Sequence, residues 1–448
     1  MLIKFTVDNF MSLGKETELV MIPSNKIKKK AEHKIKISKT SLLKHAVIYG
    51  PNASGKSNLI SALGFFQFSV TKSIPVESKN LFCKTLKENE NKISNFEIQF
   101  TINNKFYAYG FSALLKESKL TQEWLYELDE KVNNKTIFTR EENNKPIFGD
   151  SIQFNELDKL KMDTYLSDFD EKSNMLFLTF MNLNKNYTQD SKLIIFKDVY
   201  SWIKNNIDIY RPQTSLNNFE YYYDNASLDK INTIIKTFDT GITKVGIVEI
   251  TFDELKTELP PPVYIDLMEF INEKLETEKI VKVSMRANKS FFNIEAINGG
   301  ERKITTIKLN HGSSCFDFAF KEESDGTRRL FELIDILLNK TESKVYIIDE
   351  LERSLHPKLT AKFIELFETL HEGQKIQLLF TTHEATIMDQ ELFRRDEIWF
   401  LERDIDNNSN LYSLDKFKER YDKKLSKAYL EGRYGAIPIF TSFNLIKE

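Results

Sequence analysis

One stretch, VIYGPNASGKSNLI at residues 47–60, constrains the fold of this chain more than any other. An apolar run leads into a loop carrying Gly50 and Gly55, and Lys56 and Ser57 follow at once. The spacing G-x-x-x-x-G-K-[ST] is the one at which backbone N–H groups surround a β-phosphate. Lys56 is placed to reach the β and γ oxygens, and the Ser57 hydroxyl to ligate magnesium. A helix from Asn58 onward directs its positive dipole end at the phosphates. Only 15 of 448 residues are glycine, so two at this spacing are a specific signal. The stretch predicts strand, phosphate loop and helix, and ATP or GTP binding through Asn52, Gly55, Lys56, Ser57 and Asn58.

Length and composition set the frame. A chain of 448 residues has room for two or three domains with real cores. Hydrophobic residues make up 41% and charged residues 29%, as in ordinary soluble proteins. A formal net charge of −3 provides no global positive field for nucleic acid. Cys83 and Cys315 are too few for a disulfide framework and read as buried thiols in a reducing compartment. Runs such as MLFLTFM have core length, far short of a membrane span, and the start alternates like a strand without a leader pattern. The expectation is a soluble, cytoplasmic protein with no membrane partner.

Along the chain, LIKFTVDNF and ETELVMI read as two short strands separated by a turn at Gly14. Residues 25–39, NKIKKKAEHKIKISK, form a lysine run, either a solvated loop or a nucleic-acid patch. FEIQFTI and KFYAYGFSALL read as a hairpin turning at Asn103-Asn104, extended by EWLYEL and KTIFTRE into a β meander. From about 150 the apolar spacing becomes helical, in LIIFKDVYSWIKNNI and SLDKINTIIKTF. Pro260-Pro261-Pro262 interrupts it, a helix over VYIDLMEFINEKLE follows, and no heptad run suggests a coiled-coil arm. A hairpin turning at Asn298-Gly299 comes next, and from 330 onward helix and strand alternate again.

The phosphate loop needs partners, and they occur in order. KVYIIDE, residues 344–350, is an apolar strand ending in two acids. Asp349 is placed to hold magnesium, and Glu350 to orient and deprotonate an attacking water. KIQLLFTTHE puts His383 at the carboxyl end of another strand, where it can hydrogen-bond a γ-phosphate and report its presence. In FKEESDGTRRLFELIDILL, Leu330, Leu333, Ile334, Leu337 and Leu338 share a helical face. Ser324 and Asp325 are capping types, and Gly326 leaves the backbone open at the helix start, with Thr327 beside it. This is either a second phosphate-binding helix start, serving a different nucleotide, or an ordinary capped helix.

Together these pieces resemble the ABC-type ATPases. DNF(M)S, GPNASGKSN, ESDGTRRL, DELERSLHP and TTHE look like the SMC, RecF and OLD branch. Within it the chain resembles bacterial AAA-annotated ATP-binding proteins of OLD-like type, including ATPase subunits of two-component anti-phage and abortive-infection systems such as RloA, AbiL and PARIS. The tail KAYLEGRYGAIP, residues 427–438, is similar to a closing motif of that group. The resemblance implies an α/β P-loop NTPase core of ABC type, a mixed sheet with a β-meander lobe, interrupted by a mainly helical insertion. It divides the chain into an N-terminal core half (1–115), a β extension (116–150), a sensing or docking insertion (151–290) and a C-terminal core half (291–448).

It further implies a head-to-tail dimer, or higher homo-oligomer, around shared ATP and Mg2+. Ser324, Gly326 and Thr327 of one subunit would close on the γ-phosphate held by Lys56 of the other. His383 would be the switch histidine, and Ser354–Pro357 would cross the interface. The signature reads S-D-G-T where S-G-G-[QE] is usual. Gln99 and Gln122 are both candidates for the Q-loop. Arg328, Arg329 and Arg353 are either charge-stabilising in trans or surface pairs. Only about 65 residues follow His383, too few for an OLD-type Toprim nuclease domain. Asp404 and Asp406, beside Asn407 and Asn408, read as a solvated turn.

Two functions follow as expectations. The first is a regulatory ATPase without a nuclease of its own, which controls a separate Toprim- or RloB-like nuclease in anti-phage defence. The second is a RecF/SMC-like DNA-binding ATPase, to which the lysines of 26–39 would contribute.

Overall fold

A computed structural model describes residues 1–129, 134–149, 152–171, 174–212, 225–287, 290–312, 315–339, 341–417 and 424–438; of residues 225 and 226 the backbone alone is described. The domain boundary expected at 150/151 lies outside the described residues. The chain divides into two compact units: residues 1–212, 341–351 and 371–448 form the first, and residues 213–340 and 352–370 the second. No described helix is long and apolar enough to cross a membrane.

The first unit is built on two sheets. Its six-stranded sheet runs in the order Ile207–Tyr210, Ser343–Ile348, Lys375–Thr382, His45–Tyr49, Ile398–Arg403, Ser409–Ser413. All neighbours are parallel except the last pair. Parallel strands covered on both faces read as continuous apolar runs, and every residue of His45–Tyr49 is buried. The seven-stranded sheet is the antiparallel meander from Ser94–Ile102 outward, with Leu2–Asp8 and Thr17–Val20 completing one edge. Helix Lys56–Thr71 lies between the sheets and starts two residues before the expected Asn58. Its Phe66 stacks on Phe111 at 5.7 Å between ring centroids, and Phe65 meets Phe96 at 5.0 Å. Such pairs contribute about 0.5–1.5 kcal/mol each beyond their buried area. Buried Gln377 ties the sheets together: its amide N–H groups donate to Leu2 O and Leu43 O, and its carbonyl accepts Leu2 N–H at 2.7 Å.

The lysine run is an ordered loop and hairpin wrapped around a buried cation. Arg394 donates to the carbonyls of Lys29 (2.6 Å) and Ile27 (3.1 Å) and pairs with Asp396. Lys26, Lys28 and Lys36 stand exposed around it.

The second unit holds an antiparallel sheet ordered Lys244–Ile250, Arg302–Asn310, Ser290–Ile297, Ile280–Ala287, with the short strand Phe318–Ala319 on Arg302–Asn310. The Asn298-Gly299 turn joins two of these strands as expected. Helix Pro261–Thr277 carries two of the three prolines in its first turn, where the missing N–H has no helical acceptor to lose. Two expectations need correcting or dividing. Cys83 is buried but Cys315 is exposed, in the turn before the edge strand, next to Phe316 at 83% exposure. The stretch 151–290 is not one body: to Pro212 it belongs to the first unit and contributes strand Ile207–Tyr210 to the central sheet.

Candidate functional site

In the first unit the carboxyl ends of three adjacent parallel strands bring Lys56, Asp349, Glu350 and His383 together. His45–Tyr49 lies beside Lys375–Thr382, which lies beside Ser343–Ile348, so the residues following each strand converge on one edge. Lys56 is buried; its ammonium donates to Gly50 O (2.7 Å) and Pro51 O (3.1 Å) and stands 3.2 Å from His383 Nδ1. His383 Nε2 is 3.8 Å from Glu350 Oε1. Buried Thr381 donates its hydroxyl to Asp349 Oδ1 at 2.6 Å and accepts the Glu350 N–H at 2.8 Å. Asp349 is thus buried and fixed, while Glu350 and His383 remain partly open to solvent.

The backbone is wound tightly here. Gly55 takes φ 108° and Ala53 φ 62°, both left-handed. A Cβ on Gly55 would stand 2.1 Å from Ser409 Oγ, and one on Gly50 2.2 Å from Leu401 O, so no side chain fits at either position. Glu350 is also left-handed, at φ 53°. For a residue with a Cβ this costs about 1–2 kcal/mol and persists only where neighbours over-determine it. Asn52, Ala53 and Ser57 are exposed at the loop. Asn58 donates its side-chain amide to Ser12 Oγ at 2.7 Å.

In the second unit Ser324 caps helix Asp325–Leu338 by accepting the Thr327 N–H at 3.0 Å, and its hydroxyl meets that of Thr327 at 2.9 Å. A Cβ on Gly326 would lie 2.6 Å from Ser354 O, and Ser354 is itself left-handed at φ 62°. The helix start and the segment after the Asp-Glu pair are therefore fitted to each other. Both line an open pocket of about 660 Å³ together with His356, Lys358 and Lys362.

The remaining candidates are placed as follows. Gln99 and Gln122 are engaged on the antiparallel sheet, with Glu97 and Glu141. Arg328 pairs with Asp325 and Arg329 with Glu332; Arg353 is exposed. Asp404 accepts the N–H groups of Asp406 and Asn408 in a turn, and Lys15 binds its other oxygen at 2.8 Å. Sequence reasoning missed four residues: Thr381 beside the two acids, and Ser12, Ser409 and Arg403 around the phosphate loop. Ser409 Oγ donates to Ser54 O (2.6 Å) and meets Ser12 Oγ (2.7 Å), and Arg403 Nε donates to Ala53 O at 2.7 Å. Small hydroxyls and a strand-end arginine have no local signature; only the sheet order brings them here.

The donor set suits a triphosphate with a divalent cation: a wound loop closed to side chains, a buried lysine, a helix start, an exposed serine hydroxyl and a fixed carboxylate.

Residues 46–389 match the family model described as AAA domain, putative AbiEii toxin, Type IV TA system. No curated protein matches the chain. Among solved structures, the SMC head bound to the C-winged helix domain of ScpA is similar at 11% identity and a TM-score of 0.43, over 92% of this chain and 97% of that one. The SMC head domain from Thermotoga maritima is similar at 14% identity and a TM-score of 0.33, over 92% and 98%. The family match spans well over half of the chain, which belongs to this AAA-domain family of P-loop ATPases.

Proposed function

We propose that this member of the AAA-domain family binds and hydrolyses ATP with Mg2+, dimerises around it, and thereby switches a separate effector. The observation that carries the reading is the convergence of Lys56, Asp349, Glu350 and His383 at one sheet edge, with Lys56 3.2 Å from His383. In this mechanism Lys56 and the loop N–H groups bind the phosphates. Ser57 and Asp349 would hold magnesium, which supplies charge neutralisation when bound. Thr381 keeps the Asp349 carboxylate aimed, and Glu350 takes the proton of the attacking water. His383, between Lys56 and Glu350, is positioned to link phosphate occupancy to the base.

Ser324, Gly326 and Thr327 present a capped helix start beside an open pocket, which suits completion of a neighbouring copy's site. A ligand shared in this way shifts a population toward the closed dimer by its differential affinity. We place the chain in the cytoplasm as an OLD-like ATPase of an anti-phage system, with cleavage carried out by a nuclease partner. Glu350→Gln should bind ATP, fail to turn it over and sediment as a dimer. A mutant that stays monomeric at saturating ATP would remove the dimer from the mechanism.

A further inference from the structure

The geometry points to Arg403 as a positioning residue of the phosphate loop, a role that rests on the nucleotide reading above. The exposed tip of that loop contains Ala53 in the left-handed region. Its carbonyl accepts Arg403 Nε at 2.7 Å, and one residue later the Ser54 carbonyl accepts Ser409 Oγ at 2.6 Å. A peptide unit is planar and trans, so holding a carbonyl also aims the N–H across the bond. Arg403 thereby fixes the plane that carries the Ser54 N–H, and Ser409 the plane that carries the Gly55 N–H. Two adjoining residues of one antiparallel pair, Ile398–Arg403 and Ser409–Ser413, set two consecutive peptide planes of the loop.

Arg403 is itself held. Its Nη1 donates to Asn407 O at 2.9 Å, so two edges of the planar guanidinium are committed. The turn beneath is knotted: Asp404 Oδ1 accepts Asp406 N–H (3.0 Å) and Asn408 N–H (2.8 Å), and Asp404 N–H donates to Asn408 O at 2.8 Å. Lys15 closes the turn from outside through Asp404 Oδ2. Burial raises the Asp404 carboxyl, but the Lys15 and backbone hydrogen bonds outweigh this and hold it below its ordinary value, so it stays an acceptor. The D-x-D-N-N stretch is the mount for Arg403.

The test compares wild type, Arg403→Ala and Arg403→Lys by titration with a fluorescent ATP analogue and Mg2+, with melting temperature recorded without nucleotide. Arg403→Ala should raise Kd about tenfold and leave the nucleotide-free melting temperature unchanged, and KM should rise more than kcat falls. Arg403→Lys should recover only part of the affinity, because an ammonium cannot hold Ala53 O and Asn407 O in one plane. Wild-type affinity in Arg403→Ala overturns the inference. Full recovery in Arg403→Lys also overturns it, since a point charge on the nucleotide would then suffice. Lys56→Ala separates the two readings: if it binds as well as wild type, or if neither binds, the nucleotide site itself fails and the role of Arg403 with it.

Discussion

Thr381 Oγ1 stands 2.6 Å from Asp349 Oδ1 and 2.8 Å from the Glu350 nitrogen, so one buried hydroxyl orders both acids. Thr381→Val keeps the shape and removes the hydroxyl. We expect a loss of about 1–3 kcal/mol in denaturant unfolding, because Asp349 is left buried with one partner fewer. Mg2+-dependent turnover should fall more steeply than stability. Unchanged turnover at the lower stability would show that the pair needs no ordering.

Gly326→Ala tests the fit within the second unit. The added Cβ would meet Ser354 O at 2.6 Å, a backbone atom that cannot rotate away. Overpacking of this kind typically costs about 1–3 kcal/mol. In the Glu350→Gln background the same change should abolish ATP-dependent dimer formation, read by sedimentation. Retention of the dimer would separate this helix start from assembly.

Glu123 gives a pH signature. Fully buried, it accepts the Phe177 and Leu178 N–H groups and the Tyr109 hydroxyl, with Arg140 nearby at 3.7 Å. Burial nonetheless outweighs these and pushes its carboxyl up from 4.5. The folded chain therefore holds this proton where the unfolded chain has released it. The associated stability is fully present below about 4.5 and fades as pH rises through the raised value. Melting temperature against pH should fall more steeply over that window in wild type than in Glu123→Gln. Parallel curves would contradict the assignment.

Gly435→Ala should unpin the closing motif. Gly435 is left-handed at φ 71°, and a Cβ there would stand 2.6 Å from Tyr412 Oη and 2.7 Å from Glu402 Oε2. Glu402 accepts the Ala436 N–H, while the Tyr412 hydroxyl donates to Tyr434 O. Proteolysis after residue 424 should accelerate in the variant. Equal protection would show that the motif is held elsewhere.

What the sequence made legible was local. The strand before the phosphate loop, the helix after it, the strand ending in Asp349 and Glu350, and the capped helix at Ser324 each follow from residues within a dozen positions. The meander and its hairpins follow from period-two alternation and turn residues. Arg403 and Ala53 are 350 residues apart, and Ser409 and Ser54 are 355 apart, so their pairing depends on sheet order. What shapes the lysine run was hidden for the same reason: the cation it wraps, Arg394, lies 365 residues from the Lys29 carbonyl it binds. The division of 151–290 between two units was equally hidden, because the strand Ile207–Tyr210 is too short to announce that it completes a distant sheet.

The strand that feeds the phosphate loop sits between Lys375–Thr382 and Ile398–Arg403, both made long after it. A ribosome-bound chain that stops short of Ile398 has the motif in its sequence but lacks one of the two strands that flank it. On the proposed reading, competence for nucleotide would therefore arrive late in synthesis, once Ile398–Arg403 has been made.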